Sequence, residues 1–272
     1  MAYLTSRQCL HRALVCGLIA SLMPADAAAF EAYSYGSISL TQVAQTPTAS
    51  FSAASTSDNA TIRDLSVVSD RRGAMPDIKV HLPWGLEATY RKFNQGAVHN
   101  VRGSATTTSC VRIAFKTFCA ALQNSADGVI TWKIEHQQIG LNKRVINSDD
   151  WNLRLGLGVD LMKAKANLVS TAYNESETGT APLPYFLSKL SYKISNHYEA
   201  AASINYIDVT HRATAIQYLD AELALTRHLG SMFAISLGYQ HQFLETTYSK
   251  VPNYTTLSSK LSSPFLRITL GY

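Results

Sequence analysis

Apolar and polar residues alternate with a two-residue period over much of the chain. From Trp151 to Leu161 every odd-numbered position is apolar, whereas Asn152, Arg154 and Asp160 are among the residues between them. Because successive side chains of a β-strand point to opposite faces, this pattern predicts strands with one apolar and one polar face. Eight such segments can be recognised: Ile78–Tyr90, Ile130–Glu135, Trp151–Leu161, Phe186–Ile194, Tyr198–Tyr206, Leu219–Leu225, Phe233–Phe243 and Pro264–Tyr272.

The amino terminus has the pattern of an export signal. Arg7 and Arg12 precede an apolar run over residues 13–23, and mostly small residues follow up to Ala27. This order of basic, apolar and small residues predicts a signal peptide over residues 1–27, cleaved near Ala27. The apolar run has eleven residues, too few for a helical span, which needs about 20. Residues 28–76 have no lasting period and are expected to form short strands, a linker or a plug.

Export and alternating strands together predict an all-β protein, an antiparallel transmembrane β-barrel over residues 77–272 in the bacterial outer membrane. We expect 8–12 strands, with twelve favoured, and closure by a strand that ends at Tyr272. A soluble β-sandwich or lipocalin-like barrel is the alternative, because the same alternation can bury an apolar face in a core. Charged residues make up 16% of the chain, fewer than we expect of a soluble barrel with its polar face outside.

The barrel hypothesis assigns two sets of residues. Alternate positions of the last strand would face lipid and form the signal that the barrel-assembly machinery recognises: Leu266, Ile268, Leu270 and Tyr272. Charged residues between apolar positions would face the lumen: Glu87, Arg91, Lys133, Glu135, Arg154, Asp160, Lys189, Asp220, Glu222 and Arg267. In an eight-stranded barrel these charges would pair into a plug, whereas twelve strands would leave room for a narrow polar channel or an inserted plug.

Two cysteines bear on the strand number. Cys110 and Cys119 flank the alternating stretch 111–117, which has the character of a spanning strand. An exported pair also invites a disulfide, which would turn residues 92–127 into an extracellular loop of an eight-stranded barrel. The two hypotheses exclude each other, because nine extended steps span roughly 30 Å and a disulfide joins Cα atoms about 4.4–6.8 Å apart. We favour the unbonded strand.

Connections between the segments predict the orientation. The stretches at 170–183 and 246–261 are long and polar and are expected to be extracellular loops, whereas the connections at 147–150, 195–197 and 227–230 are short and expected to be periplasmic. Candidate catalytic groups at Asp149, Asp150, Ser195 and His197 fall in the short connections, where these residue types are ordinary. We therefore expect no enzyme activity.

No motif indicates a cofactor or a metal ion, since the histidines are scattered without zinc-type spacing. A net charge of +5 is too mild to indicate nucleic acid as a partner. The expected partners are outer-membrane lipid and lipopolysaccharide, and the assembly machinery during insertion. An external partner cannot be identified from the loops.

Three stretches also resemble a known family. The segment Ile38-Ser39-Leu40, the stretch 77–87 and the stretch 151–158, together with the export signal and the aromatic terminus, look like the solitary outer-membrane autotransporter-like β-barrel proteins. The resemblance implies up to twelve strands, no large passenger and no assigned reaction. It favours a non-enzymatic structural or surface-interaction role. The alternatives are a narrow small-solute channel and an outer-membrane hydrolase, either a lipid A deacylase or a protease.

Overall fold

The chain folds into antiparallel β-strands throughout the part that the structure describes. This computed structural model describes residues 36–44, 48–55, 60–69, 75–103, 107–113, 116–122, 127–170, 174–211, 213–250 and 253–271. Within those residues, no helix is long and apolar enough to cross a membrane. The strands are β1 Gly36–Val43, β2 Thr48–Ser55, β3 Ala60–Ser69, β4 Met75–Leu82, β5 Leu86–Gly103, β6 Thr107–Ile113, β7 Lys116–Leu122, β8 Asp127–Asn147, β9 Trp151–Ser170, β10 Asn174–Lys193, β11 Tyr198–His211, β12 Thr214–His228, β13 Phe233–Lys250 and β14 Asn253–Gly271.

The strands close into a barrel with ten positions around its ring. β1 and β2 pair with opposite halves of β14 and together fill one position. β4 and β3 pair in the same way with β5 and fill the next. The other positions are β5 and β8 to β14 in chain order, and pairing of β5 with β8 completes the ring. β6 and β7 form a separate hairpin.

The favoured number of twelve strands is therefore corrected to ten. The number falls because β1 shares one position with β2, β4 shares another with β3, and β6 and β7 stay outside the ring. The predicted strand Ile78–Tyr90 is two strands, β4 and β5, joined by a turn at Pro83–Gly85. Residues 36–69, expected to be short strands or a linker, supply β1, β2 and β3 to the ring. The barrel thus begins well before residue 77.

Short turns gather at one end of the barrel, which we call the short-turn end. These turns lie at residues 83–85, 148–150, 195–197 and 229–232. In the last of them Leu229 N donates to the Phe233 carbonyl at 2.8 Å. Gly230 makes this turn possible, because its φ of +88° is a conformation that L side chains rarely adopt. The expected loops at 170–183 and 246–261 are in large part strand, since β10 begins at Asn174 and β14 at Asn253.

The outer face near the short-turn end is apolar and forms what we call the apolar belt. Leu157, Leu237 and Leu270 are 70%, 63% and 56% exposed there. On β9 the outward positions of the belt run from Leu153 to Leu161, a height of roughly 20 Å for a tilted strand. Its other exposed members are Ile38, Leu40, Ile139, Leu141, Leu155, Val159, Phe186, Leu223, Leu225, Leu266 and Ile268.

Above the belt, the outer face of the barrel becomes polar and the inner face becomes apolar. On β9, Leu161 is the last outward residue of the apolar belt and Lys163 takes the next outward position, while Met162, the next inward residue, is fully buried. β8 changes in the same way, with Trp132 and Ile134 only 1% exposed. The two-residue period continues, but the inside is now apolar, as in a soluble barrel. We call this apolar interior the upper core: Phe93, Ala97, Ile130, Trp132, Ile134, Met162, Ala164, Ala166, Leu183, Ile207, Ile216, Tyr218, Leu244, Leu257 and Leu261.

The strands are much longer than the belt is tall. β8 has 21 residues, which corresponds to about 70 Å along the strand. With the usual barrel tilt this is a height of about 50 Å, against about 25 Å for the apolar band of a membrane barrel. On the side of β8 and β9, roughly half of the barrel therefore stands clear of the belt, whereas β11 and β12, with 14 and 15 residues, extend less far.

Candidate functional site: the filled lumen

Most of the charged residues expected in the lumen do lie inside the barrel. Glu87, Arg91, Arg154, Asp160, Asp220 and Glu222 are buried, and Lys189 and Arg267 are half-buried beside the same interior space. All of them are at the height of the apolar belt, where the inward face is polar. We call this region the polar lumen.

An ion pair crosses the polar lumen from wall to wall. Arg91 on β5 donates from Nη1 to Asp220 Oδ2 at 2.6 Å and from Nη2 to Glu222 Oε1 at 2.7 Å, both on β12. β5 and β12 are five positions apart in either direction around the ring of ten. Arg91 therefore spans the full diameter of the barrel, and the interior at this height is occupied by side chains.

Further contacts hold this layer together. Arg267 on β14 donates from Nη2 to Glu222 Oε2 at 2.6 Å and from Nε to Thr41 Oγ1 at 2.7 Å. Gln240 on β13 donates to Asp220 Oδ1 at 2.8 Å. Bonds to ionised groups are the strong ones, and a buried charge is stable only when it is paired in this way. We call Arg91, Asp220, Glu222, Gln240 and Arg267 the ion-pair layer.

A small polar cavity lies below the ion-pair layer, toward the short-turn end. Its volume is about 230 Å³, and charged side chains line it. Glu87 accepts from Asn142 Nδ2 at 3.1 Å and lies 3.1 Å from His81 Nε2 and 3.8 Å from Arg154 Nη1. Lys189 Nζ is 3.9 Å from Glu199 on β11.

An aromatic layer, which the sequence did not indicate, covers the ion-pair layer on its other side. The His136 ring stacks on Phe93 at 4.5 Å between centroids and lies 5.3 Å from the Tyr218 ring. His136 Nδ1 is 2.7 Å from Asp160 Oδ2, and both side chains are fully buried. Phe93 is the next inward position after Arg91 on β5, and His136 is the inward position before Gln138 on β8. Once the inward positions of these strands are known, their two-residue period locates both rings.

Two residues expected in the lumen lie outside it. Lys133 is exposed and Glu135 half-buried on the outer face of β8, since Trp132 and Ile134 face inward. The expectation for both is corrected, because this part of β8 lies above the apolar belt, where polar side chains point outward. Lys92 Nζ lies 2.8 Å from Glu135 Oε1, and its hydrogen bond lowers the pKa of the Glu135 carboxyl.

The expected assembly signal falls partly within the described residues. Leu266, Ile268 and Leu270 are 44%, 43% and 56% exposed on the outer face of β14. They pair in register with Gln42, Leu40 and Ile38 of β1, so they lie where the last strand of the chain meets the first. Tyr272 lies outside the described residues, and its role in assembly stays a prediction.

The separate hairpin contains two cysteines, one on each strand. Cys110 on β6 and Cys119 on β7 are register partners. The spanning strand predicted over 110–119 is therefore wrong, because this stretch belongs to two antiparallel strands, β6 and β7, which do not join the ring. The loop predicted over 92–127 is also too long, since β5 continues to Gly103.

Three of the four candidate catalytic residues, Asp149, Asp150 and Ser195, line a cavity of about 250 Å³ at the short-turn end. Asp149, Asp150, Ser195 and His197 lie in turns of the short-turn end. Ser148 and Ser195 use their hydroxyl groups to close these turns, at 2.9 Å from Trp151 N and 3.3 Å from His197 N. Among the described residues, no group of three or more metal-ligating side chains forms a metal site.

Comparison with known proteins supports the fold alone. No family model and no curated protein matches the sequence. Among solved structures, the chain is similar to the outer membrane protease OmpT from Escherichia coli, with a TM-score of 0.51 and 8% identity over 86% of this chain and 96% of that one. It is also matched to the transport unit of the autotransporter AIDA-I from Escherichia coli, with a TM-score of 0.36 and 9% identity over 95% of each chain.

The chain therefore has the fold of a bacterial outer-membrane β-barrel. At 8% identity the protease shares the architecture without indicating shared chemistry, because one fold hosts many functions. The function has to be argued from the lumen and the surface.

Proposed function

We propose that this protein is a non-enzymatic, non-conducting barrel of the bacterial outer membrane that carries a rigid extension above the lipid for contact with an external partner. The observation that carries the proposal is the ion pair from Arg91 to Asp220 and Glu222 across the full width of the lumen. The apolar belt would sit in the bilayer, with the short-turn end toward the periplasm, because bacterial barrels place their longer segments outside the cell and the strand extensions and the β6–β7 connection lie at the other end.

A channel is less well supported than a filled barrel. Ions passing the ion-pair layer would have to separate Arg91 from its carboxylates, at a cost of several kcal/mol for a buried pair. They would then meet the upper core, where Trp132, Met162 and Leu257 are at most 1% exposed and offer no polar group for hydration. Two different barriers thus stand in series.

A hydrolase also lacks support in the described residues. Two histidine–carboxylate pairs lie in the barrel interior. His136 and Asp160 are both fully buried under the upper core, whereas His81 and Glu87, 3.1 Å apart, line the cavity toward the short-turn end. A general base must reach a proton of the substrate directly or through one water. The upper core separates both pairs from a substrate that would approach from the extension.

The extension supports the interaction role. It has a packed core of its own, so its tips are held by a rigid scaffold, the arrangement in which loops usually carry recognition. The ring has ten positions rather than the twelve that the autotransporter-like resemblance implied. For this reason the proposal rests on the lumen and not on that resemblance.

Single-channel recording in planar bilayers tests the proposal. The purified barrel should be heat-modifiable on gels, which shows that it is folded, and should give no conductance steps in molar potassium chloride. A porin reconstituted in parallel provides the positive control. Regular conductance steps from the heat-modifiable protein would refute the non-conducting barrel.

A further inference from the structure

Four lysines lie together on the outer face, directly above the apolar belt. They are Lys92 on β5, Lys133 on β8, and Lys163 and Lys165 on β9, and we call them the lysine cluster. Each alternates with buried residues of its strand, such as Trp132 and Met162, so all four point away from the barrel interior. β5, β8 and β9 are consecutive in the ring.

The register places two of these lysines directly opposite each other. Lys133 pairs with Lys165, and the next outward pair is Glu135 with Lys163. Like charges directly opposite on neighbouring strands are destabilising. Glu135 is already bonded to Lys92 at 2.8 Å, and the register partners on the far sides of the lysine pair, Gly96 and Thr178, carry no charge. The cluster is therefore an excess of positive charge that an anion would relieve.

The height of the cluster indicates which anion would be there. Leu161 is the last residue of the apolar belt on β9, and Lys163 and Lys165 follow at about 7 and 13 Å along the strand. In a barrel seated by its apolar belt, this is the headgroup level of the outer leaflet. Lysine side chains reach along the surface while their ammonium groups contact polar headgroups.

Among the described residues of β11, β12 and β13, on the opposite side of the barrel, there is no such excess at the same level. Asp208, Gln217 and Glu245 form one outward row across β11, β12 and β13, directly above Tyr206 and Phe243. The charge above the belt thus changes from basic to acidic around the barrel. A uniform attraction to the membrane surface does not require this asymmetry, whereas a localised site does.

We propose that the lysine cluster is a binding site for the phosphate groups of an outer-leaflet glycolipid. The inference rests on the outer-membrane placement in the proposed function. Lys133 and Lys165 would share one phosphate, and the acyl chains would lie on the adjacent belt below Leu161. Phosphate suits the site because it accepts several charge-assisted hydrogen bonds at once.

Titration with defined lipids, read by native mass spectrometry, tests the proposal. The folded barrel in detergent is titrated with a diphosphorylated glycolipid, with the same lipid after removal of its phosphates, and with inorganic phosphate. Each lysine near an anionic lipid surface contributes roughly fivefold in affinity, so Lys133→Gln with Lys165→Gln should weaken binding of the diphosphorylated lipid by roughly 30-fold. Binding of the dephosphorylated lipid should be weak and unchanged.

A matched variant separates the site from net charge. Lys143→Gln with Lys260→Gln also removes two exposed outward lysines, near the short-turn end of β8 and on β14, and should bind the diphosphorylated lipid as the wild type does. Equal losses in both double variants, or no preference of the wild type for the phosphorylated lipid, would overturn the proposal. Equally tight binding of inorganic phosphate would show a free-anion site instead. Each outcome is independent of conductance, which reports on the lumen.

Discussion

Replacing Arg91 by methionine should destabilise the barrel by about 3 kcal/mol, because the change leaves a buried carboxylate without its cation. Methionine keeps much of the length of arginine but cannot donate to Asp220 or Glu222, which lie 2.6 and 2.7 Å from the guanidinium. Glu222 retains its bond to Arg267 at 2.6 Å. Asp220 is fully buried and retains only neutral donors, so most of the loss should come from this residue.

Two second-site changes make the prediction specific. Asp220→Asn added to Arg91→Met should recover most of the lost free energy of unfolding, because the unpaired buried charge is removed. Glu222→Gln added to Arg91→Met should recover none of it, because Arg267 would lose its carboxylate while Asp220 stays charged. The ion-pair layer thus predicts opposite outcomes for two neighbouring acids on β12.

Urea unfolding of the barrel in a bilayer, followed by tryptophan fluorescence, measures these differences. Arg227→Met is the control. Arg227 is exposed on β12, the strand that carries Asp220 and Glu222, and substitutions of exposed residues usually cost under about 0.5 kcal/mol. The reasoning is refuted if Arg91→Met falls within about 1 kcal/mol of the wild type. It also fails if Glu222→Gln rescues stability as well as Asp220→Asn does.

Three further predictions concern the walls. Leu157→Arg, in the apolar belt, should lower the free energy of unfolding in a bilayer by about 2–4 kcal/mol, whereas Val169→Arg, on the outer face of the extension, should lower it by under about 1 kcal/mol. Equal losses would contradict the assigned height of the belt. Gly156→Ala should cost about 2 kcal/mol by the same assay, since a Cβ would lie 2.6 Å from Asn142 Cα, and a neutral result would count against this packing. Cys110 and Cys119 should form a disulfide, because directly opposite Cα atoms are about 4.5–5.5 Å apart. Mass analysis after alkylation of the unreduced, unfolded protein should find no free thiol at either cysteine, and two modified thiols would disprove the bond.

The sequence predicted the strands far better than it predicted their faces. The alternation over Trp151–Leu161 located β9 and correctly placed Leu157 outside and Arg154 inside. The same alternation in β8 placed Lys133 inside, where the structure has Trp132. A two-residue period identifies a strand, but it is the same for both orientations. Which face is inside depends on whether the segment lies in lipid or above it, and that height is a property of the assembled barrel.

The contacts of the lumen could not be derived from spacing. Arg91 and Asp220 are separated by 129 residues, and they meet only because a ring of ten positions puts β5 opposite β12. A ring of eight or twelve would have changed the partners of every inward charge. The strand number was also hidden in the amino-terminal part, where β1 and β2 share one position and the Ser/Thr-rich sequence of β2 shows no clear alternation.

The two layers that fill the barrel also give it a direction. The upper core covers the polar lumen on the side of the extension, whereas the cavity beside Glu87 lies at the short-turn end, next to a second polar cavity under the turn at 148–150. In the proposed orientation, water and small ions would reach Glu87 and Lys189 from the periplasmic side, because the upper core closes the lumen on the other side. The barrel is thus closed by apolar side chains at the extension and open, as far as its buried charges, at the short-turn end.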